Sequence, residues 1–342
     1  MKSPSMHRFT RRAAATLVGL GLLAGSLAAQ AAEGQIRIAR QFGIVYLLLD
    51  VAQEQKLVEK HAKAAGIDAK VEWLQLSGGS AVNDALLSGN IDIAGAGVGP
   101  LLTLWDRTKG RQDVRGVASL GNFPYYLVST NPAVKTIADF TAKDRIAVPA
   151  VGVSVQSRVL QMASAKVWGD KEFARLDKSS VALPHPDAAA AIIKGGTEIN
   201  AHFGNPPFQE QELAGNAQAH VVLSSYDVLG GPASATVLYA TGKYRDTHPK
   251  TYKAFVEALD EAARFVTANP EKAADIYLKA GNARIDRELL LKLIRSPEVQ
   301  FRTAPQNTFA LAEFMHRVGV IKNRPTSAKD YFFADPQNAA GN

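Results

Sequence analysis

Short apolar runs alternate with helix-like patterns along the first third of the chain. Runs of strand length are predicted at 35–39, 71–76, 91–94 and 114–119. Between these runs, apolar residues recur at helical spacing over 46–65, 81–88 and 100–108. Strands that alternate with helices predict an α/β fold with a largely parallel sheet.

The alternation starts again in the middle of the chain and then gives way to helices. Further strands are predicted at 125–129, 145–149, 181–184, 198–203, 221–224 and 234–241, with helices at 155–168 and 206–213 and an Ala-rich helix after Asp187. The remainder is predicted to be mostly helical, at 249–268, 270–280, 286–295 and 305–318.

This order predicts two lobes, because a helical tail of that length packs best back onto the first sheet. The first lobe would comprise 34–125 plus 236–342, and the second 126–235. A length of 342 residues suits two such units. The chain would cross between them twice, and two crossings form a hinge.

The N-terminus has the pattern of a cleavable signal peptide over 1–31. Four cations and no acid precede an apolar stretch at 13–27, and Ala29-Gln30-Ala31 is a cleavage signal. A membrane anchor is the alternative, although the stretch is shorter than the roughly 20 residues a spanning helix needs. The pair Arg11-Arg12 leaves twin-arginine export open beside the general route. The protein is expected to be periplasmic.

Charge and cysteine content limit the possible functions. The formal net charge is +7, from 39 Lys and Arg against 32 Asp and Glu. Because four of those cations lie in 1–31, the remainder carries only +3, which gives no nucleic-acid footprint. With no cysteine, Cys-based nucleophiles and Cys-containing metal sites are excluded. No histidine spacing indicates a metal site either, and no cofactor is expected.

Five segments in a fixed order resemble the nitrate/sulfonate/taurine branch of the solute-binding proteins of ABC importers. Residues 51–60 read VAQEQKLVEK, close to that family's usual VAKEKGLFEK, and 85–94 read ALLSGNIDIA. The segments 114–129, 137–154 and 183–196 are similar to further family motifs. A departure is 203–206, FGNP, where the family often has a Trp-Asp-Pro-like turn.

The resemblance implies a type II periplasmic-binding-protein fold, with a ligand cleft between two mixed, mostly parallel lobes. It implies a monomeric, non-catalytic receptor that delivers a small, sulfonate-like anion to an ABC permease and its ATPase. Aromatic acids and neutral pyrimidines remain alternatives as ligands. An enzyme of pyrimidine or menaquinone-precursor synthesis on the same scaffold, or a regulator's effector domain, is the alternative function.

Candidate ligand contacts lie where strands end and helices begin, because such edges present free N–H groups and a positive dipole end. Four turns have this form, at 77–80, 95–99, 151–154 and 203–206. Ser80, Ser154 and Asn205 are predicted N-caps, the last with Pro206 at the first helical position. The predicted contacts are Gln41, Phe42, Tyr46, Ser77, Gly79, Ser80, Gly97, Val98, Asn122, Phe123, Gly152, Ser154, Val155, Asn205 and Pro206.

Two further residues are considered near the predicted ligand cleft. Arg40, at the end of the first strand, is the rival candidate for holding an anion by a salt bridge. His202 is the one histidine expected near the cleft, and a structural role at a strand end is favoured for it.

Overall fold

A computed structural model describes residues 33–281, 285–339 and 341. The predicted signal peptide lies outside the described residues. None of the helices within these ranges combines the length and the apolar character that a membrane crossing requires.

The first sheet has the strand order β2-β1-β3-β10-β4. Its strands are β1 (Gln35–Arg40), β2 (Lys70–Gln75), β3 (Ile93–Gly97), β4 (Arg115–Ser119) and β10 (Thr236–Ala240). β1 is parallel to both β2 and β3, whereas β10 returns from the far end of the chain and runs antiparallel to β3 and β4.

The second sheet repeats this plan with the order β7-β6-β8-β5-β9. Its strands are β5 (Tyr126–Ser129), β6 (Ile146–Val148), β7 (Ser180–Ala182), β8 (Ala201–Phe203) and β9 (His220–Ser224). β6 is parallel to β7 and β8, and β5 is antiparallel to β8 and β9. Each sheet is therefore mixed, with one antiparallel strand that receives the crossing chain.

Helices follow the strands of both sheets. In the first part of the chain they are α1 (Leu47–Glu54), α2 (Leu57–Ala64), α3 (Gly79–Leu87) and α4 (Val98–Thr108). In the second part they are α5 (Val155–Trp168), α6 (His185–Lys194), α7 (Phe208–Gly215) and α8 (Ser225–Leu229). Short 3-10 turns occur at 44–46, 137–139, 170–172, 175–179 and 328–330.

The C-terminal part is helical, as the sequence predicts. It contains α9 (Gly242–Thr247), α10 (Pro249–Ala268), α11 (Pro270–Lys279), α12 (Arg287–Ile294), α13 (Phe309–Arg317) and α14 (Pro336–Ala339). α10 packs on α1 and α2, which belong to the first sheet. α13 contacts both α4 and α5, and Arg317 pairs with Asp170 at 2.9 Å, so the tail also reaches the second sheet.

We call the two sheets with their helices the first and second lobes. The fold is the predicted two-lobed α/β architecture with two mixed sheets. The boundaries 34–125 with 236–342, and 126–235, stay a prediction.

A buried polar network joins the two segments in which the chain passes between the lobes, one before β5 and one before β10. The Ser119 hydroxyl donates to the Ser234 hydroxyl (2.9 Å), which donates to Oδ1 of Asn122 (2.8 Å). The Asn122 amide nitrogen donates in turn to the side-chain oxygens of Gln300 (3.0 Å) and Gln306 (2.6 Å). The two crossing segments are thus tied to each other and to the helical tail.

Candidate functional site: the cleft between the lobes

Four helices begin at a cavity between the two lobes. Gly79 is the first residue of α3 and Gly97 is the N-cap of α4, both in the first lobe. Ser154 is the N-cap of α5 and His185 is the first residue of α6, both in the second lobe. The N–H groups of a helix's first turn have no partner inside their own helix, so four positive dipole ends converge here.

The cavity is small and its walls are neutral. Its volume is about 20 Å³, space for little more than one water molecule. No Asp, Glu, Lys or Arg is among the described residues that line it. They are Gln41, Phe42, Tyr46, Gly79, Gly97, Pro100, Tyr125, Pro149, Ser154, Val155, Gln156, His185, Asn205 and Thr236.

The first-lobe wall is fixed by hydrogen bonds to the backbone of β3. The Tyr46 hydroxyl donates to the carbonyl oxygen of Gly95 at 3.2 Å, and the Gln41 amide nitrogen donates to the same oxygen at 3.3 Å. Burial raises the pKa of Tyr46 well above its usual value, so its hydroxyl keeps its proton. Gly95 allows this packing, because a Cβ there would lie 3.2 Å from the Tyr46 ring.

The second-lobe wall is built on the first turn of α5. The Ser154 hydroxyl oxygen accepts from the Ser157 N–H at 3.3 Å and donates to the Ala150 carbonyl oxygen at 2.9 Å. The Ser157 hydroxyl accepts in turn from the Gly152 N–H at 2.8 Å. These bonds hold the loop and the helix start in one arrangement.

Behind this wall lies a chain of buried polar side chains. Gln156 Nε2 is 3.1 Å from His185 Nε2, and His185 Nδ1 is 2.8 Å from His202 Nε2. His202 Nδ1 contacts Oε1 of Glu212. All four residues are less than 5% exposed. Burial lowers the pKa of His185 well below its usual value and that of His202 to about 3, and it raises the pKa of Glu212.

The lobes touch directly across the cleft. The Ile44 N–H donates to the Pro206 carbonyl oxygen at 3.0 Å, and the Asn205 amide nitrogen donates to the Phe42 carbonyl oxygen at 3.1 Å. The contacts are close because glycines face the other lobe. A Cβ on Gly97 would lie 2.7 Å from the Val155 Cβ. The structure therefore shows the lobes in a closed arrangement.

The cavity brings together eight of the residues predicted from sequence. They are Gln41, Phe42, Tyr46, Gly79, Gly97, Ser154, Val155 and Asn205. They come from three segments of the first lobe, at 41–46, 79 and 97, and from two of the second, at 154–155 and 205. Whether they bind a ligand stays a prediction.

The other predicted residues lie outside the cavity lining. Ser77 and Ser80 are exposed, and Ser80 is not a cap, because α3 begins one residue earlier and Gly78 occupies the N-cap position. The Val98 N–H is used by the Ala235 carbonyl oxygen at 2.9 Å. Gly152 lies in the loop before α5, with a φ of 67°.

Three more predicted residues have structural partners instead. Asn122 belongs to the network at the crossing, and Phe123 packs edge-on against Phe301 with ring centroids 5.3 Å apart. Pro206 contributes its carbonyl oxygen to the contact with Ile44. The predicted N-cap role of Asn205 is wrong, because α7 begins only at Phe208 with Pro207 as its N-cap.

Arg40, the rival anion site, is not part of the cavity lining. It is 9% exposed, and its guanidinium pairs with the Asp50 carboxylate on α1. Its charge is therefore engaged inside the first lobe.

Sequence reasoning missed six lining residues. They are Pro100, Tyr125, Pro149, Gln156, His185 and Thr236. Gln156 and His185 could have been found by extending the helix-start argument by one or two positions. Tyr125 and Thr236 had no local signal: they meet side chain to side chain through a hydrogen bond between the two crossings.

Comparisons with known proteins agree with this architecture. The taurine-binding periplasmic protein of Escherichia coli K12 is 27% identical over 223 residues, which are 64% of this chain and 62% of that protein. The solved alkanesulfonate-binding protein SsuA from Xanthomonas axonopodis pv. citri, bound to MOPS, superposes with a TM-score of 0.66 at 19% identity, covering 87% of this chain and 97% of its own. The nitrate-binding protein NrtA from Synechocystis PCC 6803 gives 0.67 at 16% identity, covering 87% and 84%.

These relatives are binding proteins, and the structural ones share the periplasmic-binding-protein fold. The model of the NMT1-like family matches residues 45–278, well over half of the chain. The chain belongs to the NMT1-like family.

Proposed function

We propose that this protein is the solute-binding component of an ABC importer. It captures a small anion-bearing molecule, sulfonate-like in its head group, between its two lobes. It acts by binding and release, as a monomer and without catalysis, and presents the closed form to a permease with its ATPase.

The observation that carries the proposal is the set of four helix N-termini around a neutral cavity. Oriented N–H groups and hydroxyls stabilise an anion without the desolvation cost of burying a cation. A cationic ligand would instead need a carboxylate, and the lining residues provide none. The names of the relatives, which mention taurine, alkanesulfonate and nitrate, support the same chemical class.

The size of the cavity supports capture by lobe movement. A sulfonate group with its carbon is larger than the one or so water molecules that about 20 Å³ admits. The lobes must therefore separate to admit such a ligand and then close around it. For the lobes to close on binding, the ligand must bind the closed state more tightly than the open state.

The proposed function also requires that the protein be exported from the cytoplasm. We infer that residues 1–31 direct the chain to the periplasm and are then removed. N-terminal sequencing of envelope-fraction protein should begin at Ala32. A soluble cytoplasmic protein that keeps Met1 would contradict export.

The ligand class can be tested by a thermal-shift screen followed by titration calorimetry. The screen would contain taurine, longer alkanesulfonates, nitrate, benzoate and uracil. We expect a sulfonate to raise the melting temperature most, since binding to the native state alone adds about 2.7 kcal/mol at 100 times Kd. A response to benzoate or uracil alone would contradict the sulfonate class, and no response to any of them would contradict the small-anion proposal.

A further inference from the structure

A chain of hydrogen bonds leads from the cavity wall into the interior of the second lobe. It comprises Gln156 on α5, His185 on α6, His202 on β8 and Glu212 on α7, one residue from each of four elements. Each neighbouring pair is within hydrogen-bond distance. The chain begins at the cavity, since Gln156 and His185 line it, and ends at a carboxyl group with a fully buried side chain.

The chain has one direction of donation. In the orientation seen here the Gln156 amide turns Nε2 toward His185, and Nε2 can only donate, so in this arrangement His185 Nε2 accepts and carries no proton. A neutral imidazole then has its proton on Nδ1, which donates to His202 Nε2. The same reasoning places the proton of His202 on Nδ1, which donates to Glu212 Oε1. The pKa values of both imidazoles, lowered by burial, agree with two neutral rings.

Glu212 determines this direction because its Oε1 accepts. It accepts in this way as a carboxylate, and equally as a neutral acid whose proton is on Oε2, whereas a proton on Oε1 would reverse every bond and place the proton of His185 on Nε2. An acceptor at this end keeps the proton of His202 on Nδ1, and each following group must adopt the matching arrangement. His185 is also held from the side, stacked on Phe208 with ring centroids 5.9 Å apart and planes 15° apart. The last group to be fixed is the Gln156 amide.

We propose that Glu212 is a positioning residue for ligand binding: acting through His202 and His185, it holds the Gln156 amide in one of its two orientations at the cavity wall. A free amide could present either its oxygen or its nitrogen at a given point. A fixed one presents a single pattern of donors and acceptors, which contributes to the selection of the ligand. This role rests on the proposed function, because it needs a ligand in the cleft.

Two variants at position 212 separate this role from packing. Glu212→Gln keeps an oxygen that can accept from His202, whereas Glu212→Met has similar length and fills the space with no comparable acceptor. The readouts are the ¹⁵N chemical shifts of the two imidazoles, the affinity for taurine by calorimetry, and the melting temperature. The measurements use the full mature chain.

In the parent and in Glu212→Gln, we expect both imidazoles to be protonated on Nδ1, with taurine affinities within about three-fold of each other. In Glu212→Met, we expect His185 to lose its single tautomer and taurine binding to weaken about ten-fold. A parent spectrum with His185 protonated on Nε2 would overturn the proposal. So would equal taurine binding by Glu212→Met and the parent.

The same measurements test the hydrogen-bond chain separately from the proposed ligand class. If the parent binds no taurine while its imidazoles are both protonated on Nδ1 and respond to Glu212→Met, the chain stands and the ligand assignment fails. If Glu212→Met does not fold, the parent spectrum and the rescue by Glu212→Gln still decide the direction of the chain.

Discussion

Ser154 combines a local structural role with a place in the cavity wall. Its hydroxyl accepts from the Ser157 N–H and donates to the Ala150 carbonyl oxygen, and the side chain is 4% exposed. Ser80, the serine that the sequence predicts as the cap of α3, instead lies exposed inside the first turn of that helix and makes no cap. The two serines therefore form a natural pair for separating binding from general effects of serine removal.

Replacing Ser154 by Ala should lower stability and weaken ligand binding. Loss of an N-cap costs about 1 kcal/mol of unfolding free energy. When a sulfonate binds, the single hydroxyl proton of Ser154 would turn from the Ala150 carbonyl oxygen to the ligand. A hydrogen bond to a charged group contributes about 1.5–3 kcal/mol, so the affinity for a bound sulfonate should fall about ten-fold or more. Urea unfolding and calorimetry measure the two effects separately.

Ser80→Ala is the matched control and should change unfolding free energy by less than about 0.5 kcal/mol, as exposed substitutions usually do. It should leave ligand affinity unaltered. A Ser154→Ala variant that binds like the parent would remove the α5 terminus from the binding site.

The structural role of a residue could be predicted where it depends on neighbours in the sequence. Ser154 was recognised as a cap because a small polar residue after Gly152 precedes a helical pattern. The partners of Arg40 and His185 were not predictable, since Asp50 and His202 come from other elements and meet them only in the folded lobe. Side chains brought together by tertiary packing leave no spacing rule in the sequence.

At the scale of elements, the predicted helix 46–65 is divided into two. α1 ends at Glu54 and α2 begins at Leu57, and between them Lys56 has a φ of 51° and a ψ of 42°. This left-handed conformation costs a residue with a Cβ about 1–2 kcal/mol. The apolar periodicity of this chain continues through the break and does not show it. The only signal is in the similar family motif VAKEKGLFEK, which has glycine where this chain has Lys56.

Replacing Lys56 by Gly should therefore stabilise the protein. The relief of the left-handed conformation exceeds the greater chain entropy of glycine in the unfolded state, for a net gain of about 0.5–1 kcal/mol. The midpoint of urea unfolding measures the change. Lys63→Gly, within α2, should instead destabilise by about as much. Equal losses in both variants would show that Lys56 is not strained.

At the scale of the whole molecule, the order of elements was enough to predict two lobes and the return of the chain to the first. The closeness of the lobes was not predictable, because it depends on surfaces that meet only after both have folded. Glycines of the first lobe lie at this surface. Gly43 faces Asn205 and Pro206, and Gly78 faces Pro149.

Gly78 provides a test of closure outside the cavity lining. Its φ of −173° is extended backbone that any residue can adopt, so a side chain there is not strained within the first lobe. A Cβ at this position, however, would lie 2.7 Å from the carbonyl oxygen of Pro149 in the second lobe. Gly78→Val should therefore fold normally but prevent the lobes from meeting.

We expect the radius of gyration of the parent, measured by X-ray scattering, to fall when ligand is added, and that of Gly78→Val to remain unchanged. Affinity should drop about ten-fold or more, because a ligand gains less when its preferred state is made inaccessible. Gly242→Val is the control, since a Cβ at Gly242 meets Asp113 at an ordinary 3.4 Å within the first lobe. If Gly78→Val contracts and binds like the parent, the close approach of the lobes at Gly78 is not needed for capture, and binding must be achieved without full closure.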